Sequence, residues 1–394
     1  MDGGRRRLLG AVLACVATQA LAGGSATDVS STAFGRLADG RPVELYTLAN
    51  GHGMTVRLTD RGATITSITV PGRDGRAEEV TVGPGNLAGI VASNQRYGAI
   101  IGRYAGRLAG GFTLNGKHYA LAAGPSGVTL HGGDPGFDSA LWQARPFSTR
   151  EQIGVEFDRV SPDGEQNFPG ALTVHVRYAL ARRRNVLSIT YLATADRPTF
   201  ANLTNHAYFD LSARHSLTCS VMQADAGRYV ETNAHALPTG QLAPVAGTPL
   251  DFRTPMSLHA KVTATDAMTR ARRGLNDMIA MDKHGAARLW DAASGRTLVL
   301  RTTEPGIQVY TANFLDGKDR DARGQPLTAY NSVALEAQRF PDAPNQPAFP
   351  STLVKLGTPY RAETTLSFDV DRFDGRPLGP EWARVVQGCG GSAG

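Results

Sequence analysis

The chain of 394 residues holds only three cysteines, Cys15, Cys219 and Cys389, scattered far apart. That spacing excludes a cysteine zinc centre, and no two histidines lie four residues apart to supply the helical alternative. Charge is also sparse. Charged residues make up 19% of the chain and the net charge is +6. Arg5, Arg6 and Arg7 against Asp2 account for +2 of it, leaving +4 spread over the rest. The longest basic runs beyond them, Arg182-Arg183-Arg184 and Arg272-Arg273, read as exposed hairpin and loop charges and are too short to track phosphates. A nucleic-acid partner is thereby excluded. Gly124-Pro125-Ser126-Gly127 lacks the G-x-S-x-G frame of a serine nucleophile elbow. Windows of helical period are few, with Leu87 to Ser93 and Leu258 to Ala271 the best. No internal repeat and no linker divides the chain.

The one apolar run of note, Leu8 to Ala22, is too short to span a bilayer. Behind the charges at Arg5 to Arg7 and before the small-x-small site Ala20-Leu21-Ala22, it reads as an export signal occupying residues 1–26, with cleavage near 22 or 26. A periplasmic or secreted protein is expected. The paired arginines also resemble a twin-arginine signal, and Cys15 after Leu13-Ala14 weakly resembles a lipoprotein acceptor; plain cleavage ranks above lipidation. Cys219 and Cys389 are expected to be free thiols.

Beyond the signal, the dominant period is two. Met54, Val56 and Leu58 alternate with polar residues after the turn Asn50-Gly51-His52-Gly53. Asn115-Gly116 joins two short apolar runs, the strongest short hairpin signal. It also disposes of a decoy, since Gly111 to Lys117 mimics a phosphate loop but His118 stands where magnesium would need Ser or Thr. Leu172, Val174, Val176, Tyr178 and Leu180 alternate, turn at Arg182 to Asn185 and return through Leu187, Ile189 and Tyr191 as a long hairpin. Strands separated by turns, with hardly any helix, imply an all-β antiparallel sandwich or barrel. One domain over residues 27–385 and a Gly-rich tail over 386–394 are expected.

Candidate chemistry comes from polar residues inside apolar strands. In Val333-Ala334-Leu335-Glu336-Ala337-Gln338, Glu336 shares a face with Ala334 and Gln338. A carboxylate there becomes a useful base if its face is concave and dry, and is a solvated surface group otherwise. Gln308 and Tyr310 share a face of the preceding strand, an amide beside a phenol that can grip hydroxyls. His206, in Thr204-Asn205-His206-Ala207-Tyr208-Phe209, suits proton transfer, but equally suits packing beside aromatics. Arg103, Arg107, His131 and Asp277 border glycine-rich or apolar segments where backbone can approach a ligand.

Seven runs in order carry a resemblance. They are Gly102-Arg103-Tyr104-Ala105-Gly106-Arg107, Leu130-His131-Gly132-Gly133, Ser161-Pro162-Asp163-Gly164-Glu165, Thr204-Asn205-His206, Leu250-Asp251-Phe252-Arg253, Thr302 to Gln308 and Phe340 to Pro347. Together they resemble the aldose 1-epimerases, or galactose mutarotases, over nearly all of the chain after the signal. The resemblance implies a β-supersandwich with few short helices and a sugar cleft. It implies cofactor-free interconversion of the α- and β-anomers of hexoses such as galactose and glucose, with no metal. It puts the acid on His206, the base on Glu336, and sugar binding on Arg107, His131, Asp277 and Gln308. Two departures stand out: Gly106 replaces the family's Asn before the binding Arg, and Leu275-Asn276-Asp277-Met278-Ile279 replaces its Y-D-H-N, so a one-residue shift or Asp282 could supply the contact given to Asp277. A small-molecule sugar is the expected partner, with no membrane span and a monomer or weak homodimer. The alternatives are a non-catalytic carbohydrate-binding protein on this fold, a two-carboxylate glycosidase using Glu336 with Asp277, and a hexose-phosphate epimerase.

Overall fold

The computed structural model describes Met1 and residues 28–386. The segment expected to be an export signal, apart from Met1, and the expected tail from residue 387 therefore lie outside the described residues. Two sheets dominate, one of nine strands and one of seven, with a five-stranded sheet from the N-terminal part of the chain. Every pairing between named strands is antiparallel, so the all-β expectation is met in detail.

The expected hairpins form for the expected reasons. Leu172–Ala181 pairs with Val186–Ala195 in unbroken register, and Val174, Val176 and Tyr178 face inward while Thr173, His175 and Arg177 face out. At Asn115-Gly116 both residues adopt positive φ, 51° and 77°, the twist that a two-residue turn needs to match the flanking strands. The helical windows yield short pieces: Leu87–Ala92 fits one window, and the other splits into Leu258–Val262 and Ala267–Arg272. Asp266 breaks that second window by capping, its carboxylate accepting the Thr269 N–H at 2.9 Å. A further helix, Pro380–Val385, buries Trp382 against Trp290. None of the helices among the described residues is long and apolar enough to cross a membrane.

The main core lies between the two large sheets. Val174, Val176 and Tyr178 of the nine-stranded sheet enter the same cluster as Ile307, Val309, Val333 and Leu335 of the seven-stranded one. Each fully buried side chain of this kind stabilises the fold by about 1.5–3 kcal/mol. Leu335→Ala, which removes a 4%-exposed side chain next in sequence to Glu336, should lower unfolding free energy by about 2–5 kcal/mol in urea denaturation. Cys219 departs from expectation: it is disulfide-bonded.

Candidate active site

The seven-stranded sheet has a second face, and strand register decides what stands on it. Gln308 lies opposite Glu336, and Tyr310 opposite Ala334. Asn276 lies opposite Tyr310, and Tyr208 opposite Ala334. Opposed residues project to the same side of a sheet, so Asn276, Gln308, Tyr310, Glu336 and Tyr208 rise together. Their sequence neighbours Ile307, Val309, Leu335, Ala337 and Phe209 go down into the core. The raised residues line a cavity of about 310 Å³, within the range of small-molecule sites.

The facing wall is a short pair of strands. Arg107–Ala109 pairs with Val128–Leu130, setting Arg107 opposite Leu130 and next to His131. His131 donates its own N–H to Gly106 O at 2.9 Å and accepts the Gly106 N–H on Nδ1 at 3.2 Å. Gly106 sits at φ 80°, a conformation that glycine adopts freely and Asn tolerates. The loop after Glu336 ties this wall to the sheet: Asp342 Oδ1 accepts from Ala109 N at 2.9 Å and from Asn345 Nδ2 at 2.7 Å. Asn202 adds a second tie, donating to Ala105 O and Arg339 O while accepting the Arg339 N–H.

His206 enters from a third direction. Its backbone is pinned by bonds to Ala99 O and from Gly98 N, and Asn205 beside it donates to Gly98 O at 2.6 Å. The imidazole meets His131 edge-on at a centroid distance of 5.5 Å and lies 5.0 Å from the Tyr208 ring. Its Nε2 stands 3.5 Å from Glu336 Oε1, and its Nδ1 is buried with no partner among the described residues. Glu336 is 4% exposed. Burial raises its pKa above the ordinary carboxylate value, while the nearby His206 and Arg107 pull it partly back. Burial also depresses the pKa of Arg107, helped by Arg272, whereas Glu336 and Asp277 act against the shift. The Arg107 guanidinium makes no hydrogen bond or ion pair among the described residues, so it is available to a ligand. His131 is pushed well below the ordinary histidine value, first by burial and then by His206, Arg96 and Arg107. It is therefore neutral, with Nδ1 occupied and the proton assigned to Nε2 as a donor.

Five of the six residues singled out in the sequence, His206, Glu336, Arg107, His131 and Gln308, line this one cavity. Asp277 does not. Strand alternation turns it to the opposite side from Asn276, where Oδ1 takes Arg272 Nε at 3.2 Å and Oδ2 has no partner among the described residues. Asn276 is the lining residue, and its Oδ1 accepts from Gln308 Nε2 at 2.8 Å. Arg272 is accordingly half-buried and bonded to Asp277 and Thr232, not the exposed loop charge that its sequence suggests. Arg103 is fully buried away from the cavity, its guanidinium satisfied by Ser161 and by the carbonyls of Pro162, Pro169 and Gly170. That network explains why its motif and the Ser161-to-Glu165 motif occur together. Glu304, of the run before Gln308, is likewise structural: it accepts the Tyr360 hydroxyl at 2.9 Å, and burial pushes its pKa up to about 7 against the pull of Arg339.

Ligand atoms of His131, His206 and Glu336 fall within 4.8 Å of one another, a spacing that could suit a metal ion. The donor chemistry does not fit. With Nδ1 of His131 taken by an amide N–H, Nε2 carries the proton that a metal would have to displace, and Arg107 adds positive charge beside it.

The sequence pattern of the aldose 1-epimerase family matches residues 44–367. The chain belongs to this family. It is 38% identical to human galactose mutarotase over 346 residues, covering 87% of this chain and 99% of that protein. It is 35% identical to the aldose 1-epimerase of Escherichia coli over 340 residues, 84% of this chain and 96% of that one. Among solved structures, an aldose epimerase homologue from C. elegans superposes with a TM-score of 0.76 at 27% identity, covering 83% of this chain and 98% of that one. Galactose 1-epimerase from Lactobacillus acidophilus gives 0.78 at 24% identity, with 87% and 99% covered, a likeness of fold.

In this aldose 1-epimerase family member, sequence reasoning passes over several lining residues. Arg96, Phe314 and Leu130 stand at the cavity, the last two 49% and 43% exposed, and Phe314 stacks on Tyr310 at 6.2 Å. Arg96 and Phe314 are loop residues, which carry no periodic signal, and Leu130 ends a strand of only three residues. Asn276 had a periodic signal, since Asn276, Met278 and Ala280 occupy alternate positions of a strand.

Proposed function

We propose that the protein is an aldose 1-epimerase that interconverts the α- and β-anomers of free hexoses such as galactose and glucose, without a cofactor. Glu336 takes the proton of the C1 hydroxyl while His206 gives a proton to the ring oxygen. The electron pair of the O1–H bond forms the carbonyl as the bond from C1 to the ring oxygen breaks, giving the open aldehyde. Rotation about C1–C2 presents the other carbonyl face. Reclosure returns one proton from Glu336 and the other to His206. The observation that carries this reading is the 3.5 Å approach of His206 Nε2 to Glu336 Oε1 inside the cavity. The two oxygens that must exchange protons sit on one carbon, so acid and base have to stand side by side.

Around this pair, Arg107, the Nε2–H of His131, Gln308 and Asn276 would hold the sugar hydroxyls and fix the ring for reaction. Asn276 fills the role that the family resemblance gave to Asp277, whose carboxylate is engaged with Arg272. Asn276→Ala should raise KM about 5- to 10-fold in an aldose titration with little change in kcat, through loss of about one hydrogen bond. Asp277→Asn should change KM less. Glu336 is the only carboxylate among the described residues lining the cavity, which argues against two-carboxylate glycosidase chemistry.

Polarimetry of freshly dissolved α-galactose and α-glucose, extended over a panel of aldoses, tests the function. Decay no faster than the spontaneous rate for every sugar would refute it. The signal in residues 1–26 supports export to the periplasm or beyond, and N-terminal sequencing of the mature protein, with a start near Gly23 or Thr27, would check it.

A further inference from the structure

We propose that Gln338 is a further hydroxyl-binding residue of this site, an inference that rests on the epimerase reading above. Gln338 is fully buried, yet neither its Oε1 nor its Nε2 has a hydrogen-bond partner among the described residues. A primary amide can make four hydrogen bonds, and leaving one unpaired in a dry interior costs about 1–3 kcal/mol. The position accounts for it. Gln338 lies two residues beyond Glu336 on the same face of the same strand, and its side chain lines the same cavity.

Its neighbours give the amide nothing to bond. The residue opposite in register is Gly306, which offers no side chain. Across the cavity wall stands Gly106, where an added Cβ would come within 3.0 Å of Gln338 Nε2. Packing alone holds the amide, so a turn about its last torsion presents either the carbonyl or the N–H to an arriving hydroxyl. A sugar hydroxyl both donates and accepts, which suits an amide. Two residues advance about 7 Å along a strand, so with Glu336 at the anomeric carbon Gln338 meets the ring away from C1. It therefore reads the configuration of a ring hydroxyl and contributes to the choice among aldoses.

The test is Gln338→Met, which keeps the volume and removes both polar atoms. For galactose, KM should rise about tenfold while kcat stays within about twofold. Across 2-, 3-, 4- and 6-deoxygalactose, the gap between variant and wild type should close for one sugar, the one that lacks the bonded hydroxyl. A folded Gln338→Met protein with unchanged KM would overturn the proposal, as would an equal rise for every deoxy sugar, the mark of a structural role. Should Gln338→Met fail to fold, Gln338→Glu gives the same comparison with the acceptor kept and the donor lost. Galactose binding by calorimetry separates this proposal from the epimerase reading. A wild type that binds galactose without accelerating mutarotation refutes that reading, while a loss of binding in Gln338→Met still supports this one.

Discussion

Glu336→Gln should lower turnover by about 100- to 10,000-fold, the usual contribution of one positioned base, and at neutral pH it should raise the melting temperature. Both effects come from one feature. The carboxylate lies 4% exposed in the cavity, and burial raises its pKa. A group whose folded pKa lies above its unfolded value favours the folded state only below the unfolded pKa, and that contribution is lost as pH rises through the folded value. At neutral pH the ionised Glu336 is therefore a net burden on the fold, only partly offset by Arg107 and His206. Gln cannot ionise, and the burden disappears with the activity. Thermal unfolding at pH 7 and at pH 4 checks the sign: the gain should be present at pH 7 and shrink at pH 4. A fall in melting temperature at pH 7 would show Glu336 to be a structural anchor. The same shift places the acid limb of kcat/KM above the ordinary carboxylate range of about 4.3, and that limb should vanish from the residual activity of the variant.

His206→Asn should cost a similar factor, and combining the two substitutions should cost little more than either alone. The reason is the coupling of the two transfers. Once the base is gone, a proton delivered to the ring oxygen has no partner step to complete, so groups acting as a unit show strongly non-additive losses. Independent losses that multiply would mean the two residues serve separate steps. Asn is the suitable replacement because the backbone at 206 is fixed by Ala99 and Gly98, and the imidazole's Nδ1 has no partner among the described residues to be lost.

Much of the fold was legible in the sequence because strand alternation and turn chemistry are local. Asn115-Gly116, the pair Leu172–Ala181 with Val186–Ala195, and the shared face of Glu336 and Gln338 all follow from a period of two. What that period cannot tell is which face meets a cavity and which meets the core when both are buried, as they are along the whole of Val333–Gln338. Only the packing of Ile307, Val309 and Leu335 against the other sheet makes the opposite face the site. The same one-residue logic separates Asn276 from Asp277. A carboxylate draws attention in a sequence, but the pleat turns it toward Arg272 and leaves the amide in the cavity. Arg103 shows a second limit. Nothing local distinguishes it from Arg107 four residues later, yet it is sealed against carbonyls from the 161–170 loop. Cys219, read as a free thiol, is disulfide-bonded, a pairing that spacing along the chain does not determine.

The central claim is that Glu336 and His206 open and reclose a sugar ring as a pair. Two-dimensional exchange NMR on equilibrated galactose tests it most directly, because it reads α-to-β exchange with no net reaction and no coupling enzyme. Wild-type protein should give cross-peaks between the two anomeric protons well above the protein-free rate, and Glu336→Gln at the same concentration should exchange them about 100- to 10,000-fold more slowly. Cross-peaks of equal strength from both proteins would contradict the account.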